Sequence, residues 1–279
     1  MSTFALRISL LVVNFAIFGC TSTEFDELDE FDDGKTTENE MVPDDESINT
    51  GTSEDALWAQ GRFDWYQGWN AVRTGETNKL VCFLARMQGK FEGWGESVYT
   101  FTSGSDWYLG GRSQQADVAG ASFCAETLGN PYTGEYWWEQ GYGNSWTSMV
   151  PTTNANGTRN VCFLTRVQGR FYGTGEWVEV LEMNGWWYLR GASQQTAVGA
   201  GARCVTLPAG SNYSAEYSWE QGWLPTVMGT TTNRSCGLTY VRGNFRGGGE
   251  RVEIVRTGGT WYLQGSSYQN GVRAKSRCF

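Results

Sequence analysis

Six cysteines carry the first spacing that implies chemistry. Cys82 and Cys124, Cys162 and Cys204, and Cys236 and Cys278 are each separated by 42 positions. Equal separation predicts three disulfides closed within three copies of one unit, in preference to links such as Cys124 with Cys162 between units. In the chain-entropy account, closing a loop of that length contributes ~4 kcal/mol, a large share of the stability of a module of about 70 residues. The chain has seven cysteines, so Cys20 is left over, and it has no histidine. With the thiols assigned, thiolate zinc sites are excluded, as are Ser-His-Asp and Cys-His catalysis.

Carboxylates survive that filter. Glu96, Glu176 and Glu250 each follow a Gly-x-Gly, and two-carboxylate glycoside hydrolysis needs only a pair of Asp or Glu residues. A second carboxylate does not recur, because Glu139 and Glu220 align with Tyr66, and Glu135 and Glu216 align with Arg62. A non-enzyme is therefore expected, with no cofactor and no metal. The recurring glutamate either satisfies backbone donors at a tight glycine turn or meets a ligand. The loops Ser113-Gln114-Gln115, Ser193-Gln194-Gln195 and Ser267-Tyr268-Gln269 also recur. They hold the donors and acceptors that sugar hydroxyls require, or they knit each loop to its own backbone. The candidate ligand-binding set is thus Glu96, Glu176 and Glu250 with Ser113, Gln114, Gln115, Ser193, Gln194, Gln195, Ser267 and Gln269.

All 14 tryptophans lie from residue 58 onward. Trp65, Trp138 and Trp219 recur, as do Trp107, Trp187 and Trp261, and are expected in the core. Trp94, Trp146, Trp177, Trp186 and Trp223 do not recur in all three copies, and exposed rings among them could stack on sugars or meet a protein. Most basic residues there are arginines, whose planar guanidinium suits carboxylates and sulfates.

The elements that position these groups follow from the repeat. Gapless alignment of the three cysteine blocks makes 16 of 43 positions identical, which marks one supersecondary unit used three times. Trp177-Val178-Glu179-Val180 and Arg251-Val252-Glu253-Ile254 alternate with period two, setting Glu179 and Glu253 opposite their apolar neighbours as strands do. Asn184-Gly185 and Gly258-Gly259 precede Trp-Tyr-Leu segments where a hairpin turn needs positive φ. About four antiparallel strands per block are expected, the Trp-x-Gln-Gly segment at Trp65, Trp138 and Trp219 forming a fifth. That tryptophan precedes the first cysteine by 17, 24 and 17 positions, so the stretch between them, including Pro151 to Gly157, reads as a surface loop. The fold class is all-β: three tandem disulfide-stapled antiparallel modules of about 70–80 residues. A complete copy starts near Trp58 and no strand is left over to close a ring, which favours self-contained beads over a pseudo-threefold assembly of prism or trefoil type.

Before the repeats, Arg7 precedes an apolar run from Ile8 to Phe18 that is about half of the ~20 residues a bilayer span needs. Residues 1–19 read as a signal peptide. Ile17-Phe18-Gly19-Cys20 resembles the lipobox of bacterial lipoproteins, and that resemblance implies cleavage before Cys20 and acylation of it. An ordinary secretory signal is the alternative, and the unpaired Cys20 argues against it. Residues 20–57 would follow as a disordered acidic tether, since residues 21–57 hold 14 Asp or Glu against one Lys. A flexible chain of that length spans roughly 30 to 35 Å. Its acidic run lacks the ligand spacing of an EF-hand calcium loop. The repeats occupy residues 58–130, 131–210 and 211–279, and with 16 acidic and 19 basic residues they carry no basic stretch for nucleic acid. Glycosylation acceptors at Asn156, Asn212 and Asn233 would matter only in a eukaryotic source. The expected function is multivalent binding of extracellular glycan by a lipid-anchored protein of the bacterial envelope. The alternative is a structural or protein-interaction module.

Overall fold

The computed structural model describes residues 59–127, 132–141, 146–195 and 197–279, which form strands and turns with no helix. The signal segment 1–19, Cys20 and the acidic stretch 20–57 lie outside the described residues, as does Trp58. The first copy contributes β1 (Ala59–Tyr66), β2 (Val72–Glu76), β3 (Leu80–Gln88), β4 (Ser97–Ser103), β5 (Asp106–Arg112) and β6 (Ala119–Glu126). The second contributes β7 (Tyr136–Glu139), β8 (Trp146–Pro151), β9 (Arg159–Gln168), β10 (Trp177–Met183), β11 (Trp186–Ala192) and β12 (Gly199–Leu207). The third contributes β13 (Tyr217–Glu220), β14 (Thr226–Thr230), β15 (Cys236–Arg242), β16 (Arg251–Thr257), β17 (Thr260–Ser266) and β18 (Arg273–Cys278).

Six strands per copy exceed the four or five expected from periodicity. The added strand, β2, β8 or β14, falls in the stretch between the upstream tryptophan and the cysteine that reads as loop. It lies at a sheet edge, where Pro151 needs no ladder donor. The hairpin expectation holds: Asn184 and Gly185 sit at φ 51° and 77°, Gly258 and Gly259 at 57° and 73°, between strands paired Met183↔Trp186 and Thr257↔Thr260. Cys82, Cys162 and Cys236 stand directly opposite Cys124, Cys204 and Cys278 in register and are bonded to them. The spacing-based pairing is thus the observed one. Such buried disulfides belong to an oxidising environment outside the cytosol.

The copies are not beads. Each of three six-stranded antiparallel sheets draws three strands from one copy and three from another, in the orders β1-β6-β3-β16-β17-β14, β13-β18-β15-β10-β11-β8 and β2-β5-β4-β9-β12-β7. The third strand of one copy pairs with the fourth strand of another in one repeated register: Val252↔Met87, Val178↔Val241 and Val98↔Val167. The chain closes this ring by pairing β3 with β16, so no spare strand is required, and that is where the bead expectation fails.

On the pseudo-threefold axis β3, β9 and β15 lie against one another. Just beyond their ends Phe91, Phe171 and Phe245 stack edge to face with centroids 6.1–6.3 Å apart. Their backbones form a closed ring: the Phe91 N–H donates to the Phe245 carbonyl, Phe171 to Phe91, and Phe245 to Phe171, each at 2.8 Å. Around the axis Trp107, Trp187 and Trp261 are fully buried. Their indole N–H groups donate to the carbonyls of Leu80, Asn160 and Arg234 at 2.7, 2.8 and 3.2 Å, so each of these three buried donors is paired. Trp65, Trp138 and Trp219 also belong to the core, each packing from its own sheet onto a hairpin strand of a different sheet. Each ring lies against Gly111, Gly191 or Gly265, where a Cβ would come within 2.3–2.4 Å, which accounts for that recurring glycine.

The seams between copies also bury charge. Glu179 and Glu253, which alternation sets opposite their apolar neighbours, are nonetheless 5% and 4% exposed, and the adjoining copy supplies cations to them: Lys275 at 2.8 Å from Glu179 and Arg62 at 2.9 Å from Glu253. The first copy has Tyr99 at this position, and the Arg166 guanidinium of the second copy lies 4.2 Å over its ring. Burial by itself would raise the Glu253 carboxyl. Hydrogen bonds from Gln264 and Arg62 and the charges of Arg62 and Arg251 prevail and hold it below its ordinary value.

Candidate functional site

Two loops of each copy meet beside the axis, one joining the third and fourth strands and one joining the fifth and sixth. The first carries Glu96, Glu176 or Glu250. All three are buried, at 2–3% exposure. Their backbone carbonyls accept the N–H groups of Gly169, Gly243 and Gly89, each from a different copy. The glutamate main chain therefore ties one copy to the next. Each carboxylate presses on a glycine of its own turn, with Oε2 2.3–2.8 Å from where a Cβ of Gly93, Gly173 or Gly247 would stand. None of the three Oε2 atoms has a hydrogen-bond partner, so this oxygen does not serve the turn donors that the sequence suggested.

The second loop holds the Ser-x-Gln motif, and here the serine works on its own backbone. Ser113 Oγ accepts from the Gln115 N–H at 2.8 Å and donates to the Gln115 carbonyl at 2.9 Å. Ser193 with Gln195 and Ser267 with Gln269 repeat the arrangement at 2.8–3.1 Å. These hydroxyls are engaged in fixing the loop, whose exposed polar side chains include Gln114 and Asp117 in the first copy, Gln194 in the second and Asn270 in the third. Gln269 Oε1 accepts from Asn244 at 3.3 Å. Gln114 is exposed, and Gln115 and Gln195 are partly so.

In the first copy the two loops enclose a cavity of about 580 Å³ lined by Gly93, Trp94, Gly95, Glu96, Arg112, Gln114 and Gln115. Of the sequence-predicted site residues it brings Glu96, Gln114 and Gln115 together. Trp94, 78% exposed, stands beside them. Arg112 was missed in the sequence because it is the last residue of β5 and does not recur. The equivalents of Trp94 are Thr174 and Gly248, and those of Arg112 are Ala192 and Ser266. Tyr268, equivalent to Gln114, is 93% exposed. The three loop pairs thus share a frame and differ in their reactive surface.

Further aromatic rings lie on the outer sheet faces. Trp223 borders a cavity of about 230 Å³ with Trp219, Glu220, Tyr240, Arg273 and Lys275. Trp69 stands at the same position of the first copy, four residues after the recurring tryptophan, and Trp69 and Trp223 are each 56% exposed. Their carbonyls accept the indole N–H of Trp65 and Trp219 at 3.0 and 3.1 Å. On another sheet Phe101 and Tyr108 stack at 5.5 Å beside Tyr99, and Arg166 lies between Tyr99 and Trp137. Of the tryptophans singled out for not recurring, Trp94, Trp186 and Trp223 are exposed, and Trp146 and Trp177 are half-buried against the Arg190 guanidinium.

Among the described residues no group of three or more Cys, Asp or Glu side chains could hold a metal ion. Comparison with protein-family models, with curated proteins and with solved structures finds no match.

Proposed function

We propose that residues 58–279 bind an extracellular glycan without cleaving it. The observation that carries this reading is the cavity of the first copy, where an exposed indole stands beside glutamine amides and a guanidinium. A sugar presents an apolar C–H face and a rim of hydroxyls, which suit an aromatic plane flanked by fixed polar groups. The serine-fixed loops hold the glutamines in place before a ligand arrives, which lowers the ordering cost of binding. Three related loop pairs on one rigid body give three weak contacts with a polymer, and linkage raises avidity without new interactions. In this reading the chain is held at the bacterial cell envelope by lipid on Cys20, with residues 20–57 as the tether.

A glycan array with pull-down on whole polysaccharides tests the proposal. Replacing Gln115, Gln195 and Gln269 together by alanine should weaken binding more than any single change while leaving the fold intact. A second reading, a protein-interaction surface, is favoured by the flat aromatic face of Tyr99, Phe101 and Tyr108 with Trp137. Capture of a specific protein, with no glycan bound, would establish that reading instead.

A further inference from the structure

We infer that the cavity of the first copy takes an anionic sugar residue, a uronate or sulfated pyranose, and that each chain has one such site. The inference rests on the glycan reading and narrows it. Arg112 carries it. Arg112 is exposed at the cavity rim, and none of the ion pairs among the described residues uses it. Most other arginines of the repeats are paired with a carboxylate, a carbonyl or an aromatic ring. A guanidinium free to offer two parallel N–H bonds matches a carboxylate or sulfate.

The rest of the cavity sets the ligand's orientation. Glu96 lines the cavity as a buried carboxyl and offers an anion no cation. A ligand anion therefore belongs at the Arg112 rim, with uncharged hydroxyls toward Gln114, Gln115 and Glu96. Trp94 offers a ring face to the pyranose, and the volume of about 580 Å³ falls within the ~300–1,000 Å³ of ligand pockets. With Thr174 and Ala192 in the second copy, and Gly248 and Ser266 in the third, neither the indole nor the guanidinium of this cavity recurs, and the third copy's exposed ring, Tyr268, stands at the Gln114 position with no arginine at the Arg112 position. Charge selection thus belongs to the first copy alone.

The test is calorimetric titration of the full chain with polygalacturonate, alginate and heparin, with methyl-esterified polygalacturonate and galactan as uncharged counterparts. At least one acidic polymer should bind with one strong site per chain, and esterification should weaken polygalacturonate binding wherever it is seen. Arg112→Gln should lower affinity for the acidic polymer at least tenfold. Arg256→Gln, which removes an exposed arginine far along the sequence from both cavity loops, should leave it unchanged. Trp94→Ala should weaken acidic and neutral binding alike. If only uncharged polymers bind, or if Arg112→Gln and Arg256→Gln act equally, the anionic assignment falls and the glycan reading stands. If no polymer of either class binds, here or on the glycan array, both fall.

Discussion

The ring of Phe279 lies 5.3 Å from that of Phe163, in the part of the axial cluster that the third copy leaves empty. Phe83 and Phe163 are equivalent residues near the middle of β3 and β9, with centroids 4.6 Å apart. Their counterpart is Gly237, where a Cβ would come 2.7 Å from the Phe163 ring. Phe279, one position past the last cysteine, fills the space instead and is 7% exposed. Phe279→Ala should therefore destabilise the fold by about 3 kcal/mol, the lower end for loss of a buried phenylalanine. Urea unfolding measures it, and a change within about 0.5 kcal/mol, as for an ordinary surface site, would show that the ring does not complete the core.

Shared sheets make the three copies one folding unit. In a fragment of residues 131–210, β9 would lack β4 and β10 would lack β15, leaving two open strand edges and half a core. That fragment should be unfolded by circular dichroism even with its disulfide closed, whereas residues 58–279 should melt in a single calorimetric transition. Independent melting of a cut-out copy would restore the bead arrangement.

The Glu253 carboxyl is held below its ordinary value in the folded state. As the pH falls, the unfolded chain takes up this proton first. The stability that Glu253 contributes is thus present above the ordinary carboxylate range and is lost as the pH drops through the folded value. Unfolding measured from about pH 6 down to about pH 3 should show stability declining, and Glu253→Gln should flatten part of that decline. Parallel profiles for the two proteins would mean that the Arg62 contact does not hold the charge.

The proposed lipid on Cys20 predicts that the mature chain, made in a bacterial host that processes lipoproteins, partitions into detergent. Cys20→Ala should release it to the aqueous phase, because several acyl chains at one residue anchor far more firmly than one. Unmodified, soluble wild-type protein by mass spectrometry would contradict the anchor.

What the sequence determined by itself was local or periodic. Equal cysteine spacing named the three disulfides, since two residues at fixed positions in a repeated strand pair recur in the same register. Alternation at Val178 and Val180, and the Asn184-Gly185 turn, named a hairpin from adjacent residues alone. The recurring tryptophans named the core. What only the tertiary structure decided depends on residues far apart in the chain. Pairing of β3 with β16, and burial of Glu253 by Arg62 across 191 positions, leave no periodic trace, because a strand edge looks the same in sequence whether its own copy or another covers it. The cavity was half legible for the same reason. Repetition pointed to Glu96 and Gln115, with Gln114 in two of three copies, and failure to recur singled out Trp94 as a ring that could be exposed, but Arg112 carried neither mark and joins them only because the turn after β3 and the end of β5 fold to one place.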